Sequence, residues 1–322
     1  MKTEALSLSS LSVVVPVYRS EAGLPALVQR LHPVLAGAAG SFELVLVNDG
    51  GPDRSWEVIE QLAAQHPWVR GICLMRNFGQ HNALLCGIRA ARHEIIVTMD
   101  DDLQHPPEEI PKLLAKLAEG FDVVYGTPQE EQHGLWRDLA SQLTKLALQS
   151  ATGAKMARNA SAFRVFRTNV RDAFADYRSP FISIDVLLTW GTTRFAAVPV
   201  QHHPRELGAS NYTFGKLVTH ALNMLTGYST APLRLASLIG FAFTLFGLAV
   251  LAYVIISYLV RGGTTSAGFP FLASIIAIFS GAQLFALGII GEYIACMHFR
   301  TMDRPAYIQS AETGAAPKRT ER

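Results

Sequence analysis

Met99-Asp100-Asp101-Asp102-Leu103-Gln104 follows directly on the apolar run Ile95-Ile96-Val97-Thr98. Carboxylates at the end of a buried strand are hard oxygen donors, fixed on one side and open on the other. That arrangement suits a Mg²⁺ or Mn²⁺ ion that also binds phosphate oxygens. Three acids in a turn can equally be a solvated loop, so the chemistry depends on what else reaches the same place. Tyr18, Asp49 in Asn48-Asp49-Gly50-Gly51, and Arg76 each also follow an apolar, β-branched run.

The elements that must position these residues can be read from periodicity. Strands are expected at 11–17, 42–47, 69–75, 95–99 and 122–126, and helices at 24–35, 55–65, 82–91 and 107–119. Two prolines open the last of these helices, where their missing N–H groups do no harm. Strand–helix alternation predicts right-handed crossovers and a mostly parallel α/β sheet. Ligands bind such sheets beyond the carboxyl ends of the strands, where Tyr18, Asp49, Arg76 and Asp100–Asp102 all fall. Further strands are expected near 163–166 and 195–200. A packing helix is expected at 137–149 and a juxtamembrane amphipathic helix at 212–228.

The chain has 322 residues and a net charge of only +2, which gives no overall basic signature for nucleic acid. No charged residue occurs from Leu235 to Val260 or from Phe269 to Gly291. Each run is long enough to cross a bilayer, and a short turn beginning at Arg261 joins them. A transmembrane hairpin is the expectation; the competing reading is a pair of buried helices in a soluble core. Arg234, Arg300 and Arg304 flank the outer ends, which puts both long segments in the cytoplasm. The N-terminus is too polar for a signal peptide. Cys73, Cys86 and Cys296 lack ligand spacing and are expected to be reduced and inert. The polar tail after Gln309 is expected to be disordered.

Val13-Val14-Val15-Pro16-Val17-Tyr18, Val47-Asn48-Asp49-Gly50, Arg76-Asn77-Phe78-Gly79-Gln80-His81 and Asp100-Asp101-Asp102-Leu103-Gln104 together resemble the inverting family-2 glycosyltransferases. Arg205-Glu206-Leu207-Gly208-Ala209-Ser210-Asn211-Tyr212, Ala231-Pro232-Leu233-Arg234 and two spans ending Gly291-Glu292-Tyr293 narrow the likeness to the polyprenyl-phosphate glycosyltransferases. These include dolichol-phosphate mannose synthases and the undecaprenyl-phosphate glucose and formamidoarabinose transferases. The runs at 76–81 and 103–111 are most similar to the last of these.

That resemblance implies a GT-A fold, with a catalytic domain over 1–210 and an interface helix over 211–232. A transmembrane hairpin follows over 233–299, with spans of about 235–260 and 269–296, and then a cytoplasmic tail over 300–322. It implies transfer from a nucleotide sugar, UDP-linked by closeness to the bacterial members, to a polyprenyl phosphate at the cytoplasmic face of a bacterial inner membrane. It implies a divalent cation as cofactor; separately, juxtamembrane helices and apolar spans often pack between subunits, so a homo-oligomer, dimer or tetramer, is expected. By position, Pro16, Tyr18, Glu21, Asp49, Arg76, Gln80 and Asp100 fall to the donor. Asp100 and Asp102 would be catalytic and, with Gln104, would hold the metal. Arg137, Arg164, Arg205 and Ser210 fall to the acceptor phosphate, because the guanidinium fork matches phosphate oxygens. Asp101 holds the variable middle position and is read as a bystander. His81 stands between sugar contact and capping, and His105 belongs to the turn. His202 and His203 point to opposite faces of a strand, which argues against a metal pair.

The chain departs from the family pattern at several points. Arg19-Ser20 stands for Asn-Glu, displacing the acid to Glu21, and Asn211 stands for lysine. The basic residue usual after the fifth strand is missing at 126–128, and Arg158 replaces an acid. Two further readings stand beside the transferase: a glycolipid or polysaccharide synthase, and a silent nucleotide-sugar-binding scaffold. No Gln-x-x-Arg-Trp motif of processive enzymes is present.

Overall fold

The computed structural model describes residues 8–128, 160–179, 182–203, 231–260 and 268–314. The helix expected at 137–149, the juxtamembrane helix at 212–228, and Arg137, Arg205 and Ser210 lie outside the described residues. The first half builds β1 (Leu8–Val17), α1 (Leu24–Ala38), β2 (Ala39–Asn48), α2 (Ser55–Gln65) and β3 (Val69–Leu74). It continues with α3 (Gln80–Ala90), β4 (Ile95–Thr98), α4 (Ile110–Ala118) and β5 (Val123–Pro128). β6 (Arg164–Arg167), α5 (Ile184–Gly191) and β7 (Phe195–Val200) complete the layer, before the long helices α6 (Ala231–Val260) and α7 (Gly268–Thr301) and a last strand β8 (Gln309–Thr313).

All eight strands form one sheet in the order β7-β5-β6-β4-β1-β2-β3-β8. The β1–β2, β1–β4, β2–β3 and β5–β7 pairs are parallel, whereas β6 and β8 are antiparallel to their neighbours. Alternation along the strands feeds two cores. Val13, Val15, Leu44, Leu46 and Val97 pack with α1, α2 and α4 on one face. Val14, Val45, Val47, Ile72 and Ile96 pack with α3 and α5 on the other. Burial on both faces is why these strands read as nearly continuous apolar runs. The strand order reverses between β1 and β4, so a crevice opens between the loops that follow them.

α6 and α7 have 30 and 34 residues, about 45 and 51 Å at 1.5 Å per residue, against an apolar bilayer thickness of about 30 Å. The spans Pro232–Ser257 and Ile278–Thr301 have mean hydropathies of 2.5 and 1.5, and their side chains are mostly exposed. Leu238, Phe241, Tyr253 and Leu284 are largely exposed. The reading of a buried soluble-core pair is therefore corrected: these helices show their apolar side chains outward. They touch each other through Phe243, Gly247 and Phe279.

The expectation for the C-terminal tail is also corrected. Residues 309–313 are not disordered but form β8, an antiparallel strand on β3 with Ile72 opposite Glu312. Arg70 anchors it, reaching Glu312 at 2.9 Å and the buried Glu43 at 2.8 Å. Ser310 Oγ donates to the Cys73 carbonyl, and Met75 N–H donates to the Ile308 carbonyl. An edge strand that would otherwise present open N–H and C=O groups is thereby covered.

Candidate functional site

The carboxyl ends of β1, β2, β3 and β4 deliver Tyr18, Asp49, Arg76 and Asp100 to one rim of the sheet, as the strand pattern predicts. Pro16 is buried within β1, opposite Val47 of β2, and Tyr18 is exposed at the strand end. Arg19 lies in the left-handed region at φ 58°, with its guanidinium 5.3 Å from the Tyr18 ring centroid. Glu21 is turned to α2: its Oε2 accepts the Arg54 N–H at 3.0 Å, where a carboxylate complements the partial positive charge of a helix start.

Asp49 is almost fully buried and accepts the backbone N–H groups of Phe78 (2.7 Å) and Gly79 (2.8 Å). Burial pushes its carboxyl above the usual aspartate range, against those two donors and the nearby Arg76. Asp49 thus sets the loop that carries Arg76, whose exposed guanidinium rests 4.3 Å from the Phe78 ring centroid. Gly50, at φ 62°, lies directly beneath the Arg76–Asn77 backbone.

The three consecutive aspartates go to three different places. Asp100 Oδ1 accepts the Gln80 side-chain amide at 2.7 Å. Asp102 Oδ1 accepts the Gln104 N–H at 3.2 Å. Asp101 accepts the Ser20 hydroxyl and the Tyr18 N–H, and burial raises its carboxyl above the usual range, as does the charge of Asp102. Leu103 takes the left-handed region at φ 57°, a strained placement for a non-glycine residue of the kind that gathers at functional sites. The Gln104 carbonyl accepts the His203 N–H at 2.8 Å, so the acid loop is tied to the segment that leads toward Arg205.

His105 stacks on Phe163 (5.4 Å between centroids) and meets His202 edge-on at 5.0 Å. Burial, then His202, drop its pKa to about 4, so the ring is neutral. It belongs to the turn. His81 sits at the start of α3, where its Nδ1 accepts the Ile184 N–H of α5 at 3.4 Å.

Asp100 and Asp102 supply hard oxygen donors at the open end of β4. Among the described residues no three His, Cys, Asp or Glu side chains converge to hold an ion by themselves. Two carboxylates with the rest of the shell completed by phosphate oxygens and water is how Mg²⁺ or Mn²⁺ sits with a phosphorylated ligand, so the donor set fits a cation that arrives with substrate.

Arg164 opens β6. The sequence reading puts it at an acceptor phosphate, but the side chain is buried inside the sheet. Its Nε donates to Thr98 Oγ1 at 3.0 Å and its Nη1 pairs with Asp185, which also accepts the Tyr125 hydroxyl at 3.0 Å. An ion pair so enclosed holds β4, β5, β6 and the start of α5 together two residues before the acids.

The family model for glycosyl transferase family 2 matches residues 12–177. Undecaprenyl-phosphate 4-deoxy-4-formamido-L-arabinose transferase of Shewanella sediminis is 37% identical over 311 residues, covering 95% of this chain and 94% of the relative. The proteins of the same description from Pseudomonas aeruginosa and Proteus mirabilis are 34% and 35% identical, over 95% and 93% of this chain and 91% and 93% of theirs. The fold is similar to that of glucosyl-3-phosphoglycerate synthase from Mycobacterium tuberculosis, crystallised with Mn²⁺ and uridine-diphosphate-glucose. That match has a TM-score of 0.51 at 16% identity and covers 68% of this chain and 77% of that one.

Proposed function

Because the chain belongs to glycosyl transferase family 2 and is an enzyme of that class with a GT-A fold, we propose that it transfers a sugar from a UDP-linked donor to undecaprenyl phosphate, with inversion, at the cytoplasmic face of a bacterial inner membrane. The observation that carries this reading is the convergence of the β1 and β4 loops on one crevice, in a chain that matches a lipid-phosphate sugar transferase over nearly its whole length. 4-Deoxy-4-formamido-L-arabinose is the first sugar to try.

A phosphate monoester has its second ionisation near pH 6, so the acceptor is already mostly dianionic at neutral pH and needs little help from a general base. Its oxygen attacks the anomeric carbon, and the bond from that carbon to the donor diphosphate breaks, releasing the nucleoside diphosphate. A divalent cation held by Asp100 and Asp102 supplies electrostatic stabilisation to the leaving diphosphate. Tyr18 offers a ring at the nucleoside end of the crevice, with Pro16 and Glu21 behind it. Asp49 presents Arg76 toward the donor, and Gln80 steadies Asp100. Gln104 shapes the turn from which it could complete the cation shell. Two phosphorylated partners repel, and arginines offset that repulsion. We assign this work to Arg137 and Arg205, with Ser210 as a further donor, and give Arg164 the internal role of fixing β4 beneath the acids.

β8 supports the orientation. It is hydrogen-bonded to β3, so the chain that follows α7 returns to the side of the membrane that holds the catalytic sheet. Two spanning helices satisfy that requirement, whereas one would not. The excess length of α6 and α7 over the apolar thickness then carries the sheet clear of the lipid.

The test is incubation of the purified full chain with undecaprenyl phosphate, Mn²⁺ or Mg²⁺ and a panel of nucleotide sugars, followed by mass spectrometry of the lipid. A lipid-linked monophosphosugar is expected. Asp102→Asn should lower its formation by on the order of a thousandfold while the protein stays folded in the membrane. Nucleotide-sugar turnover without a lipid product would point to a different acceptor, and binding without turnover to the scaffold reading.

A further inference from the structure

We propose that Ser20 and Asp101 form a clasp across the crevice that strengthens the mutual dependence of nucleoside-diphosphate and cation binding beyond what phosphate oxygens on the cation supply. The inference rests on the glycosyl-transfer reading and adds a positioning role for two residues that the sequence pattern gives no part. Ser20 stands where the family pattern has an acid, and Asp101 stands at a variable position.

The clasp sits at the strand-order reversal. On one side is the loop after β1, which ends in Tyr18; on the other is the acid loop after β4. The Ser20 hydroxyl and the Tyr18 N–H both donate to the Asp101 carboxylate. Asp100 and Asp102, immediately before and after it, make their hydrogen bonds elsewhere, to Gln80 and to the Gln104 N–H. Asp101 thus joins the two loops, with Asp100 and Asp102 on either side of it at the proposed cation position.

The β1 loop is held from its other side as well. Ser20 N–H donates to Ser55 Oγ at 3.0 Å, and the Ser55 hydroxyl donates to Asp53 Oδ2 at 2.7 Å. Arg54 N–H donates to Glu21 at 3.0 Å. A chain of hydrogen bonds therefore runs from the start of α2 through Ser20 into the acid loop. Arg19 and Leu103, one in each loop, both occupy the left-handed region. Such backbone persists only where the surroundings fix it, and the contact between Ser20 and Asp101 lies between the two.

Movement of Tyr18 toward a base must therefore pull on Asp101. Movement of Asp100 and Asp102 toward an ion must in turn pull on Ser20. Coupling between two ligands is reciprocal and typically changes affinity by about 5- to 150-fold.

Calorimetric titration of UDP into the detergent-solubilised full chain, with and without Mn²⁺, measures this without any transfer reaction. Wild type should bind UDP about tenfold or more tighter with Mn²⁺ than without. Ser20→Ala and Asp101→Asn should each reduce that ratio several-fold, to what direct contact between ion and diphosphate leaves, and the double variant should do no more than either single one. Ser20→Thr, which keeps the hydroxyl, should retain the ratio. A wild-type ratio in Ser20→Ala, or effects of the two variants that multiply, would overturn the clasp while leaving the glycosyl-transfer reading standing. Absence of any UDP binding by wild type would remove that reading, and the clasp with it. Should Asp101→Asn not fold, the Ser20→Ala and Ser20→Thr pair decides the question.

Discussion

Replacing Gly50 by alanine tests how far the donor side of the crevice depends on backbone contact. Gly50 has φ 62°, a region that costs an L-residue roughly 1–2 kcal/mol. A Cβ there would stand 2.7 Å from both Arg76 Cα and Asn77 N, where ordinary contact begins at 3.4 Å. These neighbours are backbone, pinned through Phe78 and Gly79 to Asp49, so relief must come from moving the Arg76 loop by about 1 Å. Overpacking of this kind costs typically about 1–3 kcal/mol, giving about 2–5 kcal/mol with the φ penalty. A 1 Å displacement of a positioning group can cost on the order of a hundredfold in rate. Gly50→Ala should therefore lower thermal stability markedly and kcat/KM for the nucleotide sugar by about two orders of magnitude. Gly37→Ala is the control, since nothing lies within 4 Å of its would-be Cβ, and in α1 it should stabilise by up to about 1 kcal/mol. If Gly50→Ala melted and turned over like wild type, Asp49, Gly50 and the Arg76 loop would not form the rigid unit described here.

Other elements carry further expectations. Glu43 is buried with Ser12, Arg70 and the Arg92 N–H upon it; burial pushes its carboxyl up, but these partners outweigh burial and hold it below the usual value of 4.5. Its stabilisation is complete above that value and is lost as pH falls through the lowered one, so thermal melts should fall off below about pH 4.5. Glu43→Gln should flatten that limb and destabilise by about 3 kcal/mol at neutral pH, because it removes the buried carboxylate facing Arg70 and leaves the half-exposed Glu312 and the neutral Ala90 carbonyl to it. Arg164→Lys should lower the melting temperature and leave the lipid-phosphate KM of the remaining folded enzyme unchanged. A raised KM with normal melting would instead return Arg164 to the acceptor. Removal of residues 308–322 should bare the β3 edge and cause concentration-dependent association visible by light scattering. A monodisperse protein with wild-type melting would deny β8 its protective role.

The parallel half of the fold is legible because its signals are local. β-Branched runs buried on both faces, stripes at helical spacing and prolines before α4 each report one element, and α2 has the expected bounds. Two of the elements that escaped notice, α5 and β8, lack such signals. Ile184–Gly191 is a short, mostly apolar helix, hard to tell from a strand by periodicity. Gln309–Thr313 is polar at every position but Ala311 and becomes a strand because β3 offers it a ladder and Arg70 offers it a charge. That is a property of the partner and not of the segment.

The same distinction governs the site. Residue type and strand-end position were enough to bring Tyr18, Asp49, Arg76 and Asp100–Asp102 to one rim, because a parallel sheet places its carboxyl ends together whatever the side chains do. Which groups those side chains would choose was not legible, because hydrogen-bond partners lie tens of residues apart. Asp49 is taken by a loop, Glu21 by a helix start, Arg164 by Asp185 and Asp101 by Ser20. In each case a charged group that the sequence offers to a ligand, or leaves unassigned, is spent on holding the backbone of a neighbouring loop. Burial explains Asp49, Asp101 and Arg164, since a charge enclosed without a partner is far more costly than one left at the rim; Glu21 is exposed and answers to the start of α2 instead. Asp49, Asp101 and Arg164 thus became scaffolding, whereas Asp100, Asp102 and Arg76 are the groups that the proposed function gives to the cation and the donor.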